Sequence, residues 1–144
     1  MDDPYDLQRF VDAQDAGGHE AAVAELRAGR KRSHWMWFVF PQVTGLGRSA
    51  TAVEFSIADL DEARAYLAHP VLGPRLRGCA RLAAGAATGD PEELLGPTDA
   101  LKLRSSMTLF AAADPGEPVF EQVLQKFYGG RRDPLTERAL ADRA

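Results

Sequence analysis

Residues 35–50 read Trp35-Met36-Trp37-Phe38-Val39-Phe40-Pro41-Gln42-Val43-Thr44-Gly45-Leu46-Gly47-Arg48-Ser49-Ala50, and how this stretch folds decides the fold class. Its first six residues are all apolar and four of them are aromatic. Such a run suits a buried strand or a buried helical turn, and periodicity does not choose between them. In either form it belongs to the core, since each large ring contributes on the order of 2–3 kcal/mol by burial alone. Immediately after it, Gly45-Leu46-Gly47-Arg48-Ser49-Ala50 matches the G-x-G-x-x-G/A pattern of a dinucleotide-binding turn, with Asp61 a suitable distance on. That turn works only inside a βαβ unit. Here Ile57 to Ala68 holds a capped helix and no second β-rich run, and Pro41-Gln42-Val43-Thr44 inserts an extra turn before the first glycine. A Rossmann site is set aside on that ground, and no Gly-Lys-Ser/Thr follows to make a Walker loop.

Outward from this stretch, helix signals recur. Leu7, Phe10, Val11 and Gln14 follow i, i+3, i+4, i+7 spacing until Gly17-Gly18. A second helix is expected over His19–Ala28, with Val23 and Leu26 inward and Gly29 at its end. Asp59-Leu60-Asp61-Glu62 reads as a capping box opening a helix to Ala68, because Pro70 disfavours helical geometry at His69. After Pro74, the stripe Leu76, Cys79, Ala80, Leu82, Ala83 alternates with Arg75, Arg77 and Arg81. Asp90-Pro91-Glu92-Glu93 supplies an N-cap, a first-position proline and first-turn acids. Thr98 is expected to cap a helix through Ala112, Val119 to Phe127 to make another apolar face, and Asp133-Pro134 to start a last helix. The expectation is therefore a mainly α, single domain over residues 1–144 with seven or eight short helices.

A chain of 144 residues fits one domain and buries enough surface to be stable without staples. With 17 Lys and Arg against 21 Asp and Glu, the net charge is −4, which argues against bulk attraction to nucleic acid or an anionic membrane. The N-terminal Met1-Asp2-Asp3-Pro4-Tyr5-Asp6 is acidic where a signal peptide is basic, and no apolar run approaches the ~20 residues that cross a bilayer. The single cysteine, Cys79, suits a reducing cytoplasm and reads as a packing residue. The histidines His19, His34 and His69 are scattered and no C-x-x-C occurs, so neither a metal nor another cofactor is expected.

The polar residues around the aromatic run are the candidates for chemistry. Gly45 and Gly47 allow consecutive N–H groups to point into one concavity, Arg48 adds a cation, and Ser49 can cap a following helix, which together could cradle a phosphate or carboxylate; a plain chain-reversing turn is the other reading. His34 and Gln42 bracket the aromatic run. His34 is either a general acid–base or an edge histidine bonded to backbone. Lys102, Ser105 and Ser106 share a helix face, where a desolvated lysine beside a serine can act as base or anion anchor; the plainer reading pairs Lys102 with Asp99 in solvent. Mid-helix serines cost helix propensity, a small pointer to a role. Arg30-Lys31-Arg32 reads as a solvated basic edge.

Asp6-Leu7-Gln8-Arg9-Phe10, Gly29 to Gln42 with its His-Trp-Met-Trp core, Gly45-Leu46-Gly47, His69-Pro70-Val71-Leu72-Gly73, Asp99, Lys102-Leu103, Ser105-Ser106 and Thr108-Leu109-Phe110 resemble a bacterial domain-of-unknown-function family, numbered 1810. The resemblance spans nearly the whole chain and implies a mainly helical fold with no established activity. Members are sometimes labelled calpastatin, a disordered inhibitor that this core-rich chain does not resemble. Two functions from different classes follow. In the first, the domain binds or processes a small anionic, phosphate- or nucleotide-like molecule: His34, Lys102 and Ser105 carry the chemistry, and Trp35, Gln42, Gly45, Gly47, Arg48 and Ser49 line the site. In the second, the domain is a non-catalytic protein-interaction module and these residues are structural. Neither reading establishes whether the chain is an enzyme or what its oligomeric state is.

Overall fold

Acids and prolines ahead of apolar stripes set most of the helix starts. The computed structural model describes residues 2–143. It contains α1 (Gln8–Ala13), α2 (His19–Ala28), α3 (Met36–Val39), α4 (Ala50–Glu54), α5 (Leu60–Ala68), α6 (Leu72–Ala84), α7 (Pro91–Leu95), α8 (Pro97–Ala113), α9 (Pro118–Tyr128) and α10 (Pro134–Asp142). The Ser49, Asp59, Asp90 and Asp133 side chains each accept a hydrogen bond from a first-turn N–H of the helix they precede. Pro91, Pro97, Pro118 and Pro134 occupy first helical positions, where the missing N–H costs nothing. The fold is mainly α, as expected, and every stretch read as helical is helical. The two short turns α3 and α4 are added to them. Among the described residues, the β pairing outside strands is one isolated parallel bridge between Val43 and Ile57.

The open question over the aromatic run resolves as a turn of helix. Val39 N–H donates to the Trp35 carbonyl at 3.1 Å and Phe40 N–H to that of Met36 at 3.0 Å. A carbonyl that so short a helix leaves free, that of Phe38, accepts from Gln14 Nε2 at 2.7 Å. Gln14 opens a π turn (Gln14–Gly18) between α1 and α2, kinked at Gly17 with φ 106°. A Cβ at Gly18 would fall 2.2 Å from the Phe38 ring, so the glycine pair lets the aromatic turn sit against the kink.

Three details depart from expectation. The Glu62 N–H donates the capping bond to Asp59, but its carboxylate accepts from the Ala58 N–H at 3.0 Å, one residue before the box predicts, while also pairing with Arg9 at 3.1 Å. Helix α6 begins at Leu72 rather than after Pro74, because Pro74 is harmless in a first turn and His69 Nδ1 caps the Val71 and Leu72 N–H groups. Helix α8 begins at Pro97 with Gly96 at its N-cap, so Thr98 lies inside the first turn.

Helix α8 is the central element, packed against α5, α7, α9 and α10. A chain of rings crosses the core from Phe10 to Tyr66 (5.1 Å), Phe110 (5.4 Å) and Phe120 (5.9 Å). Cys79 is buried in this core, and burial pushes its thiol up to about 12, so it stays protonated and inert. Among the described residues no helix is long and apolar enough to cross a membrane.

Candidate functional site

The tryptophans are placed first by a carboxylate on α2. Glu25 accepts from the N–H groups of Arg32 and Ser33, from the Ser33 hydroxyl, and from the Trp35 indole N–H at 3.0 Å. Burial alone would raise the Glu25 pKa. These donors outweigh it and hold the group at about 2, so the carboxylate stays charged and the loop before α3 is pinned. Trp35 is 1% exposed. Lys31 Nζ sits 5.2 Å from its ring centroid and bonds Asp99 at 2.9 Å. The middle of the basic cluster is thus a shielded ion pair and not a solvated edge. From the other side of Asp99, Lys102 Nζ pairs at 3.5 Å and lies 5.1 Å from the Trp37 ring, against which exposed His34 stacks.

Next to Lys102 a cavity of about 340 Å³ opens between residues 42–47, α8 and the start of α10. Gln42 is fixed by the bridge: its carbonyl accepts from Ile57 N–H at 2.9 Å, and Thr44 N–H donates to the Ile57 carbonyl at 2.8 Å. Gly47 comes so close to α4 that a Cβ there would meet Ala52 Cβ at 2.5 Å. From α8, Thr98, Leu101, Lys102, Arg104 and Ser105 line the cavity, joined by Asp133 and Leu135 from α10's start. The Ser105 hydroxyl donates to Asp133 Oδ2 at 3.1 Å, and the same oxygen accepts from the Thr136 N–H and hydroxyl. Arg104 spends its Nε and Nη2 on the carbonyls of Arg131 and Arg132, at 2.9 and 2.8 Å. Two cations, Lys102 and Arg104, therefore face this cavity with one carboxylate, Asp133, already loaded with three donors.

The expected site residues divide. Gln42, Gly47, Lys102 and Ser105 line this one cavity. Gly45, at φ 103°, lines an adjoining hollow of about 290 Å³ that shares Leu46 and Leu135 with it. Trp35 lies inside the core, and His34 sits outside on the Trp37 ring. Arg48 is exposed, and Ser49 caps α4 through the Ala52 N–H at 3.1 Å. The Ser106 hydroxyl is buried and, among the described residues, meets no hydrogen-bond partner. The sequence reading missed Thr98, Leu101, Arg104, Asp133 and Leu135. Leu101 did carry a signal, since it falls off the buried stripe of Leu103, Met107 and Phe110 and is an apolar residue without a core to fill.

A family model described as "Protein of unknown function (DUF1810)" matches residues 4–140. The chain belongs to the DUF1810 family. A solved structure, that of the conserved hypothetical protein Rv1873 from Mycobacterium tuberculosis at 1.38 Å, is 54% identical to it. That structure superposes with a TM-score of 0.94, over 96% of this chain and 99% of the other. No curated protein matches the chain.

Proposed function

We propose that this DUF1810 protein binds a small anionic ligand, with a phosphate-like or nucleotide-like charged group, in the cavity between residues 42–47 and α8. One observation carries the reading: Gln42, Gly47, Lys102 and Ser105, from two distant parts of the sequence, line the same hollow. Lys102 is the anion anchor, Gln42 offers an amide that both donates and accepts, and Gly47 lets the ligand approach backbone. The volume lies in the range of small-molecule sites. The reading is one of binding, because the Ser105 hydroxyl is engaged by a helix-capping carboxylate and His34 is held on Trp37. The compartment that suits the inert, buried Cys79 is the reducing cytoplasm of a bacterium.

A thermal-shift titration at low salt with pyrophosphate, AMP and a phosphorylated sugar tests this. A ligand of the native state raises the melting temperature with the logarithm of its concentration. Lys102→Met is expected to melt within a few degrees of the parent and to lose the shift. If none of the three anions moves the midpoint at millimolar concentration, the reading falls.

A further inference from the structure

The cavity beside Lys102 has a feature that an anion site by itself does not require. Leu101 is 68% exposed and Leu135 is 60% exposed, and Val53 is the other large hydrophobic exposed to a similar degree among the described residues. Both leucines line this cavity, with Leu46 beside them. Leu46 and Leu135 continue into the adjoining hollow of about 290 Å³. Among the described residues, no aromatic side chain lines either hollow. Leu101, Leu46 and Leu135 therefore give the cavity that Lys102 lines an aliphatic side, and Leu46 and Leu135 carry it to the edge of a neighbouring hollow whose far side holds Arg138, Asp142 and Arg143.

We infer that the ligand of this site is an amphiphile: an anionic head, carboxylate or phosphate, at Lys102, and an aliphatic body lying along Leu101, Leu46 and Leu135. The inference rests on the anion-binding reading above and narrows it from nucleotides toward alkyl-chain anions. The head is placed by Lys102, which shares the single carboxylate of Asp99 with Lys31; Arg104 bonds only carbonyl oxygens, and with Asp133 counted against these cations one positive charge is left in excess there. The body is set by the walls. A nucleobase gains from a flat aromatic platform, which these hollows lack, whereas methylene groups gain from covering leucine side chains that water otherwise wets.

Calorimetric titration with hexyl phosphate, hexanoate, inorganic phosphate, AMP and hexanol tests the inference, all below the concentrations at which the alkyl compounds aggregate. Hexyl phosphate is expected to bind at least about tenfold more tightly than inorganic phosphate or AMP, since even partial burial of several methylenes is worth that factor. Hexanol should give no measurable heat. Leu135→Ser and Leu101→Ser, at exposed positions, should each weaken hexyl phosphate about fivefold or more and leave inorganic phosphate unchanged, while Val53→Ser changes neither. AMP binding as tightly as hexyl phosphate, or leucine variants without effect, overturns the amphiphile and leaves the anion site standing. Silence from every phosphate overturns both. A parent protein that sediments as a dimer, and a Leu135→Ser variant that sediments as a monomer, would assign the aliphatic side to self-association and also overturn the inference.

Discussion

Lys31 and Lys102 reach the same carboxylate, and each lies over a tryptophan ring, yet their surroundings differ. Each lysine borders a hollow, but the Lys31 side chain is 9% exposed and its ring, on Trp35, is sealed in the core, whereas the Lys102 side chain is 22% exposed and its ring, on Trp37, is half-buried. The inner pair is held from both members: Glu25 fastens the Trp35 indole, and Asp99 takes the Lys31 ammonium at 2.9 Å. The outer pair holds Asp99 more loosely, at 3.5 Å, on a half-buried ring. One motif thus serves as scaffold on one side of Asp99 and as an accessible cation on the other. Burial decides between the two roles.

The contrast can be broken by substitution. Trp35→Ala should cost about 3–5 kcal/mol in urea unfolding, the range for a large ring removed from a closed core, and Trp37→Ala only about 1–2 kcal/mol. Equal losses would dissolve the distinction between the two rings. Lys31→Met is expected to cost about 2 kcal/mol, because Asp99 then keeps only its longer partner in a shielded place, against less than about 1 kcal/mol for Lys102→Met.

The inner side can be sharpened by pH. The Glu25 carboxylate is held at about 2, well below its ordinary 4.5, by donors that outweigh burial. Its folded pKa is depressed, so its stabilising contribution is present above about 4.5 and is lost as the pH falls from there toward about 2. The urea midpoint of the parent should fall more steeply across that window than that of Glu25→Gln, which carries no titrating group there. The smallest effect is spectroscopic. Acrylamide should quench the emission of Trp37 and spare that of Trp35, so Trp37→Phe removes most of the quenchable fluorescence.

Much of the helical order was legible because its causes are local. Asp59, Asp90 and Asp133 cap helices whose first N–H groups lie two or three residues away, a relation that needs no knowledge of the rest of the chain. The aromatic turn was not legible, because the group that satisfies the Phe38 carbonyl, Gln14, lies 24 residues earlier. The same holds for the site. Lys102 and Asp99 are three apart on one helix and their pairing was expected, but the arrival of Lys31 from the α2–α3 loop turned a solvent contact into a shielded triad. Asp133-Pro134 was expected to start the last helix, and Asp133 caps it; that its carboxylate also anchors the Ser105 hydroxyl depends on where α10 docks. Of the leucines beside the cavity, Leu101 was marked only by falling off the buried stripe of its helix, and an exposed apolar residue such as Leu135 leaves no periodic trace of its own.

The Asp133 junction makes the wall of the hollow and the anchoring of the terminal helix a single event. One oxygen fastens α10 through Thr136 and α8 through Ser105, so fraying of residues 134–142 also releases a side of the cavity. Occupancy would then be felt far from the occupant: amide protons along α10 would exchange with solvent more slowly in the filled protein than in the empty one, by a common factor along the helix.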